Sequence, residues 1–173
     1  AKGVDISVLV DINAGGIGSG LGAGEPALKL AREILNLKGI NFDGFRSKIN
    51  ETYCSTHEDI AMVRSHAQKV LDTREMAEKE GIAVHVVSLS GTRHYDVIGQ
   101  MFGVTEVVAG SYSLMSEKLR LGRPDLHPAA QVLSVVMSHP EPGFAYLDCG
   151  QKAISTDRGL PVVEEPAGLT LTK

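Results

Sequence analysis

Apolar positions recur along the first two-thirds of the chain in two alternating rhythms. Residues 5–12 form a mostly apolar, β-branched run that predicts a strand buried on both faces, ended by a glycine-rich stretch over 13–24. Pro26 suits a first helical turn, and Ala27, Leu28, Leu30, Ala31, Ile34 and Leu35 make an apolar stripe at helical spacing that Lys38-Gly39 stops. Residues 40–45 predict a second, short strand. Ser55 and Glu58 have the spacing of a capping box, which predicts a long helix running to Glu80 with Gly81 as its stop. A strand over 84–88, a short helix over 95–102 and a strand over 104–108 continue the alternation that parallel α/β folds use. Near Leu126 the rhythm changes. Beyond Gln131 the pattern predicts strands over 132–138, 145–147, 153–155 and 169–171, a Pro-Glu-Pro-Gly turn at 140–143, and no further helix. The expected organisation is an α/β part over residues 1–122 and the beginning of a β part over 123–173, with the seam at about 120–128.

Composition narrows the class without naming a function. Charged residues at 22%, apolar residues at 43% and a net charge of −4 are those of an ordinary soluble protein and give no electrostatic reason to expect nucleic acid as a partner. No apolar run approaches the roughly 18 residues of a membrane span, and Ala1-Lys2-Gly3 lacks the pattern of a secretory signal. The two cysteines, Cys54 and Cys149, lie far apart without a metal-like or redox-like pairing, so a reducing compartment and a cytoplasmic location are the expectation. The chain starts almost directly inside a strand-like segment, which leads us to expect an N-terminus further upstream.

Three glycine-bearing loops are candidates for holding an anion. Six glycines (Gly15, Gly16, Gly18, Gly20, Gly22 and Gly24) lie between a strand and a helix, where free amides and the helix dipole favour phosphate. The dinucleotide fingerprint is met there only as Gly22, Gly24 and Ala27, and no Gly-Lys-Ser/Thr follows, so a plain turn competes with a nucleotide-binding α/β reading of the Gly15–Gly24 loop. The other two loops are Ser90-Gly91-Thr92 and Gly110-Ser111-Tyr112, each following a strand. In parallel barrels the ends of late strands often build a phosphate site from glycine amides and hydroxyls, although each triplet alone is also ordinary turn composition.

Several segments match a known family in order and spacing. Val86-Val87-Ser88-Leu89-Ser90-Gly91-Thr92, the run from Gly103 to Gly110-Ser111-Tyr112, and Leu147-Asp148-Cys149-Gly150-Gln151-Lys152-Ala153-Ile154-Ser155-Thr156-Asp157-Arg158-Gly159 resemble the Gly-Gly-Thr loop, the Gly-Ser-Tyr loop and the Asp-Ala-Gly-x-Lys-Ala-Leu-Ser-x-Asp stretch of pyridoxal-phosphate enzymes of the D-threonine aldolase and D-serine dehydratase type. Asn41-Phe42-Asp43-Gly44 agrees with the same family more loosely, and the resemblance extends over nearly the whole chain. It implies part of an alanine-racemase-like, parallel (β/α) TIM-type barrel followed by the start of a small β domain. It also implies a lyase that cleaves or dehydrates D-3-hydroxy amino acids with pyridoxal phosphate as cofactor. By position, Ser90, Gly91, Thr92, Gly110, Ser111 and Tyr112 would bind the cofactor's phosphate. A small amino-acid substrate, a homodimer or a complementing N-terminal segment, and a divalent metal in the complete enzyme belong to the same implication.

The resemblance also locates what this sequence does not carry. The family's cofactor-anchoring lysine lies on the first barrel strand, which would precede Ala1, and its metal ligands, a His and a later Cys or Asp, would follow Lys173. Since a barrel of this kind takes about 250 residues, we expect the chain to be the second half of a longer protein. Gly18 stands where the family has a ring-facing arginine, Lys48-Ile49-Asn50 where it has Tyr-His-Gly, and Ser116 where it has aspartate. These departures leave open a non-catalytic relative that binds pyridoxal phosphate. Lys48 reads as a solvated charge at a strand end, Cys54-Ser55-Thr56-His57 with His66 as a helix start and not a metal site, and His94 as a loop histidine or an acid-base group. Lys152, Asp148 and Asp157 read as structural residues of the β part.

Overall fold

The computed structural model describes residues 3–15, 18–49, 54–157 and 159–172. The chain divides into two compact units, 1–110 and 111–173.

The first unit is an open, parallel α/β sheet. Its strands are β1 (Ile6–Asn13), β2 (Leu21–Gly22), β3 (Ile40–Lys48), β4 (Val86–Ser90) and β5 (Glu106–Val108), in the order β2-β1-β3-β4-β5. All four strand pairs are parallel, so β2 and β5 are free edges and the sheet does not close. Helix α1 (Glu25–Leu35) links β2 to β3, α2 (His57–Lys79) links β3 to β4, and the single turn α3 (Tyr95–Ile98) lies between β4 and β5.

Helix α1 forms where the apolar stripe predicts it: Ala27, Leu28, Ala31 and Ile34 are buried, Pro26 sits in its first turn, and Leu35 is the exposed end of the stripe. The start of α2 differs from the expected capping box. Thr56, not Ser55, caps the helix: its hydroxyl accepts from the Asp59 amide at 3.0 Å while the Asp59 carboxylate accepts from the Thr56 amide at 3.1 Å. The Ser55 amide also donates to Asp59, at 3.2 Å. Both pairs have the i, i+3 spacing, and the sequence does not show which hydroxyl faces the helix axis.

Val63, Ala67, Val70, Leu71 and Ala77 of α2 pack with the α1 stripe on Val10, Ile12, Phe42, Phe45, Val87 and Leu89 of the strands. Phe42 and Phe45 meet edge to face with centroids 5.2 Å apart. Each Val, Leu, Ile or Phe among them contributes roughly 1.5–3 kcal/mol when fully buried, which makes this layer the main source of the unit's stability.

Only one face of the sheet is buried by the helices. Along β1, Ile6 and Ser7 are both exposed and Val8 and Leu9 both half-buried, and from Val10 on burial alternates, with Val10 and Ile12 buried and Asp11 and Asn13 half-buried. The expectation of a strand buried on both faces is therefore wrong: the face with Ser7, Leu9, Asp11 and Asn13 is exposed or half-buried. Strand β3 begins as expected but runs three residues further, to Lys48. It carries a register shift where Gly44 follows Phe42 opposite Leu9 and Val8. Gly44 has φ +155°, and a Cβ there would lie 1.9 Å from the Val86 carbonyl oxygen, so only glycine fits. Strand β4 starts two residues later than expected, as does β5, and α3 stops at Ile98 where the pattern predicted helix to Phe102.

The second unit contains α4 (Glu117–Gly122), unforeseen in the sequence, and an antiparallel hairpin of β6 (Val136–Glu141) and β7 (Phe144–Leu147). Ser116 caps α4 through its hydroxyl, 3.3 Å from the Leu119 amide. Glu141 pairs with Phe144, so Pro142-Gly143 is the two-residue turn, with Pro preset for its first position and Gly for its second. Residues 153–155 are not a strand: the Ala153 and Ile154 amides both donate to the Gly150 carbonyl in a turn. Residues 169–171 form no ladder either.

Candidate functional site

Parallel α/β folds place their sites at the carboxyl ends of the strands, where loops of free composition follow a rigid sheet. In the first unit those ends are Asn13, Lys48, Ser90 and Val108. Four residues in register form a polar row just below them, Asp11 on β1, Arg46 on β3, Ser88 on β4 and Glu106 on β5. Arg46 Nε lies 3.4 Å from Asp11 Oδ1, Ser19 Oγ donates to Asp11 Oδ2 at 2.8 Å, and Ser88 Oγ donates to Glu106 Oε1. The neighbouring in-step positions Ile12, Ser47 and Leu89 point into the helix layer and are buried. The sheet thus has one face packed against the helices and a second face that carries this row, of which Ser88 is buried, near the strand termini. Sequence reading did not pick out this row. Its signal is the period-2 polar set Asp11 and Asn13, Arg46 and Lys48, Ser88 and Ser90 at the carboxyl ends of the strands.

One step further on, Lys48 pairs with Ser90 and Ser90 with Val108. Ser90 is the last residue of β4, Gly91 follows, and Thr92 opens a single 3-10 turn that reaches His94. The Gly91 amide donates to the Val108 carbonyl at 3.1 Å, which fastens the β4 turn to the end of β5, two residues before Gly110. Ser90, Gly91, Thr92 and Gly110 are thereby brought to adjacent strand ends. Ser111 and Tyr112 lie in an exposed turn of the second unit.

Whether this turn suits a phosphate can be judged from its donors. The Gly91 amide is spent on the sheet, so its role is conformational. Thr92 is 6% exposed and its Oγ1 has no hydrogen-bond partner. A buried hydroxyl without a partner costs about 1–3 kcal/mol, and an oxyanion would satisfy it. On that observation the turn fits a phosphate group.

The Gly15–Gly24 loop is less suited. The Gly24 amide donates to Thr73 Oγ1 at 2.8 Å, Pro26 has no N–H to offer, and Glu25 puts a carboxylate in the first turn of α1. Lys69 Nζ donates to the Ala14 carbonyl at 3.0 Å, tying the loop's start to α2. Gly16 and Ile17 lie outside the described residues. His66 stands beside Gly15, and burial, with a smaller contribution from the Lys69 charge, holds its pKa below the usual histidine value.

Among the described residues no group of three or more His, Cys, Asp or Glu side chains is arranged to hold a metal ion. No described helix is long and apolar enough to cross a membrane. Cys54 precedes the start of α2, and His57 is its first residue. Asp148 accepts from the Val135 amide at 2.9 Å and from Ser134 Oγ at 2.7 Å. These bonds lower its carboxyl pKa and make it a tie between the strand ends of the hairpin.

No protein-family model matches the chain. Over 98% of its length it is 28% identical to a D-threonine aldolase of an Arthrobacter species, and over 93% it is 27% identical to the 3-hydroxy-D-aspartate aldolase of Paracoccus denitrificans. A D-threo-3-hydroxyaspartate dehydratase of a Delftia species is 29% identical over 91% of the chain. The chain spans 43–46% of the length of these relatives. The crystal structure of D-threonine aldolase from Filomicrobium marinum superposes on 96% of the chain with a TM-score of 0.81 at 26% identity, and the chain covers 46% of that structure. An alanine-racemase-like protein from Idiomarina loihiensis, 22% identical, shares the fold with a TM-score of 0.70 over 90% of the chain and 42% of its own length.

Proposed function

We propose that the protein is a pyridoxal-phosphate-dependent lyase acting on D-3-hydroxy amino acids, by aldol cleavage or by dehydration. The observation that carries this reading is the fit of 96% of the chain to a D-threonine aldolase structure, with sequence relatives that are aldolases and a dehydratase of the same substrate type. When bound, pyridoxal phosphate supplies an electron sink for the charge left at the amino acid's Cα. The chain's own contribution is positional. Ser90 and Thr92 on the β4 turn, whose conformation Gly91 sets, would hold the phosphate, and Thr92 would gain a partner for its buried hydroxyl; Gly110, Ser111 and Tyr112 are the further phosphate candidates that the resemblance adds. The polar row Asp11, Arg46, Ser88 and Glu106 lines the sheet face below those strand ends and keeps that face hydrophilic towards a polar ligand. A homodimer and a cytoplasmic location belong to the same reading.

The test is product analysis on the full-length protein with added pyridoxal phosphate. D-threonine cleaved between Cα and Cβ gives glycine and acetaldehyde, whereas dehydration of D-3-hydroxyaspartate followed by hydrolysis gives ammonia and a keto diacid. Appearance of either set from the D- but not the L-substrate is the expected result, and the set that appears decides between aldolase and dehydratase. Saturable cofactor binding by the full-length protein with no product from any D-3-hydroxy amino acid would favour a non-catalytic relative, the reading motivated by Gly18, Lys48 and Ser116.

A further inference from the structure

The turn after β4 is wrapped around a histidine. His94 is 1% exposed, and its Nε2 lies 2.9 Å from the Ser90 carbonyl oxygen. A carbonyl oxygen only accepts, so Nε2 carries the proton and donates. The His94 amide reaches back to the Gly91 carbonyl at 3.4 Å. Gly91 has φ +147°, and a Cβ built on it would come within 2.2 Å of His94 Nε2 and 2.4 Å of Cε1. The glycine is therefore needed twice, for a backbone conformation that side chains rarely adopt and for the space the imidazole fills. The far side of the same turn is held by the Gly91 amide on Val108, and between these ties sits the unpartnered Thr92 hydroxyl.

We propose that His94 is a positioning residue for the phosphate end of the site: it fills the inside of the Ser90–Thr92 turn and, through Nε2–H to the Ser90 carbonyl, fixes where the Thr92 hydroxyl is presented. This rests on the reading given under Proposed function and extends it to a residue that does not touch the cofactor. A buried histidine serving only as core would stabilise the whole unit and leave ligand preference alone. A positioning role acts on the phosphate and not on the rest of the ligand.

The distinguishing measurement is the ratio of affinities for pyridoxal phosphate and for pyridoxal, which lacks the phosphate, followed by absorbance titration. The unmutated protein should prefer the phosphorylated form. His94→Ala should lower that preference about tenfold, the scale of one misplaced hydrogen bond to a charged group, while its affinity for pyridoxal is unchanged. His94→Gln, whose amide nitrogen can take the place of Nε2, should restore it. An unchanged ratio in His94→Ala overturns the inference and leaves the proposed function standing, whereas no preference in the unmutated protein overturns both. A second measurement needs no variant: the nitrogen NMR spectrum of the unmutated protein should show His94 protonated at Nε2, and a proton on Nδ1 would contradict the proposal.

Discussion

The two units of this chain are built on different principles. In the first, helices α1 and α2 cover one face of the sheet, and Ala27, Leu28, Phe45, Val63, Ala67, Val70, Val87 and Leu89 are fully buried. In the second, every residue of β6 and β7 is exposed, and among the described residues the buried side chains are Met115, Leu119 and Arg123 near α4. The first unit is held by apolar burial. The hairpin of the second is held by local polar chemistry, the Pro142-Gly143 turn at one end and Asp148 on Ser134 and Val135 at the other. A stability change should therefore be large where a side chain or a missing side chain is set into the helix–sheet layer, and small along the hairpin.

The largest effect is expected at Gly44. Gly44→Ala places a methyl 1.9 Å from the Val86 carbonyl, which forces β3 and β4 apart. We expect a loss of more than about 4 kcal/mol, in the range seen only for a short list of severe core defects, read as a fall in the urea midpoint. An unchanged midpoint would show that β3 and β4 are not paired through this residue. Next comes the start of α2: Thr56→Ala should cost about 1 kcal/mol, the usual value for a lost helix cap. Ser55→Ala should stay within about 0.5 kcal/mol. The reverse order would restore the capping box that the sequence suggests. In the hairpin, Tyr146→Ala removes a side chain that is 66% exposed and should change stability by less than about 0.5 kcal/mol.

The smallest effect is a pH dependence in the first unit. Burial, and then the Lys69 charge, hold the folded pKa of His66 below the ordinary histidine value of about 6.5. The unfolded chain therefore binds the proton more readily, and stability should rise with pH between the lowered folded value and 6.5, then level off. His66→Asn should flatten that rise. A curve of the same slope in the variant would assign the titration elsewhere.

The alternation of strands and helices in the first unit was legible because each helix buries a single stripe and each loop carries its own punctuation. Pro26, Gly39 and Gly81 mark helix ends that the structure retains within a few residues. The capping hydroxyl was not legible, because Ser55 and Thr56 carry the same spacing one residue apart. Nor was the polar face of the sheet, because Asp11 in a run of Val, Leu and Ile looks like an exception until its neighbours Arg46, Ser88 and Glu106 are seen in register. The β4 turn was visible as Ser90-Gly91-Thr92. The part played by His94 was not, since nothing in the spacing tells a buried imidazole from an exposed one. In the second unit the strands expected at 153–155 and 169–171 do not form because their apolar residues have no partner strand among the described residues; the Gly150 carbonyl organises the first of them as a turn instead.

The most direct test of the central claim is an absorbance titration of the protein with pyridoxal phosphate, repeated with Thr92→Val and in the presence of inorganic phosphate. Saturable binding is expected, competed away by inorganic phosphate and weakened about tenfold by Thr92→Val, since the isosteric methyl removes one donor to a charged group. Binding that is indifferent to both inorganic phosphate and Thr92 would contradict the assignment of the β4 turn as the phosphate end of the site.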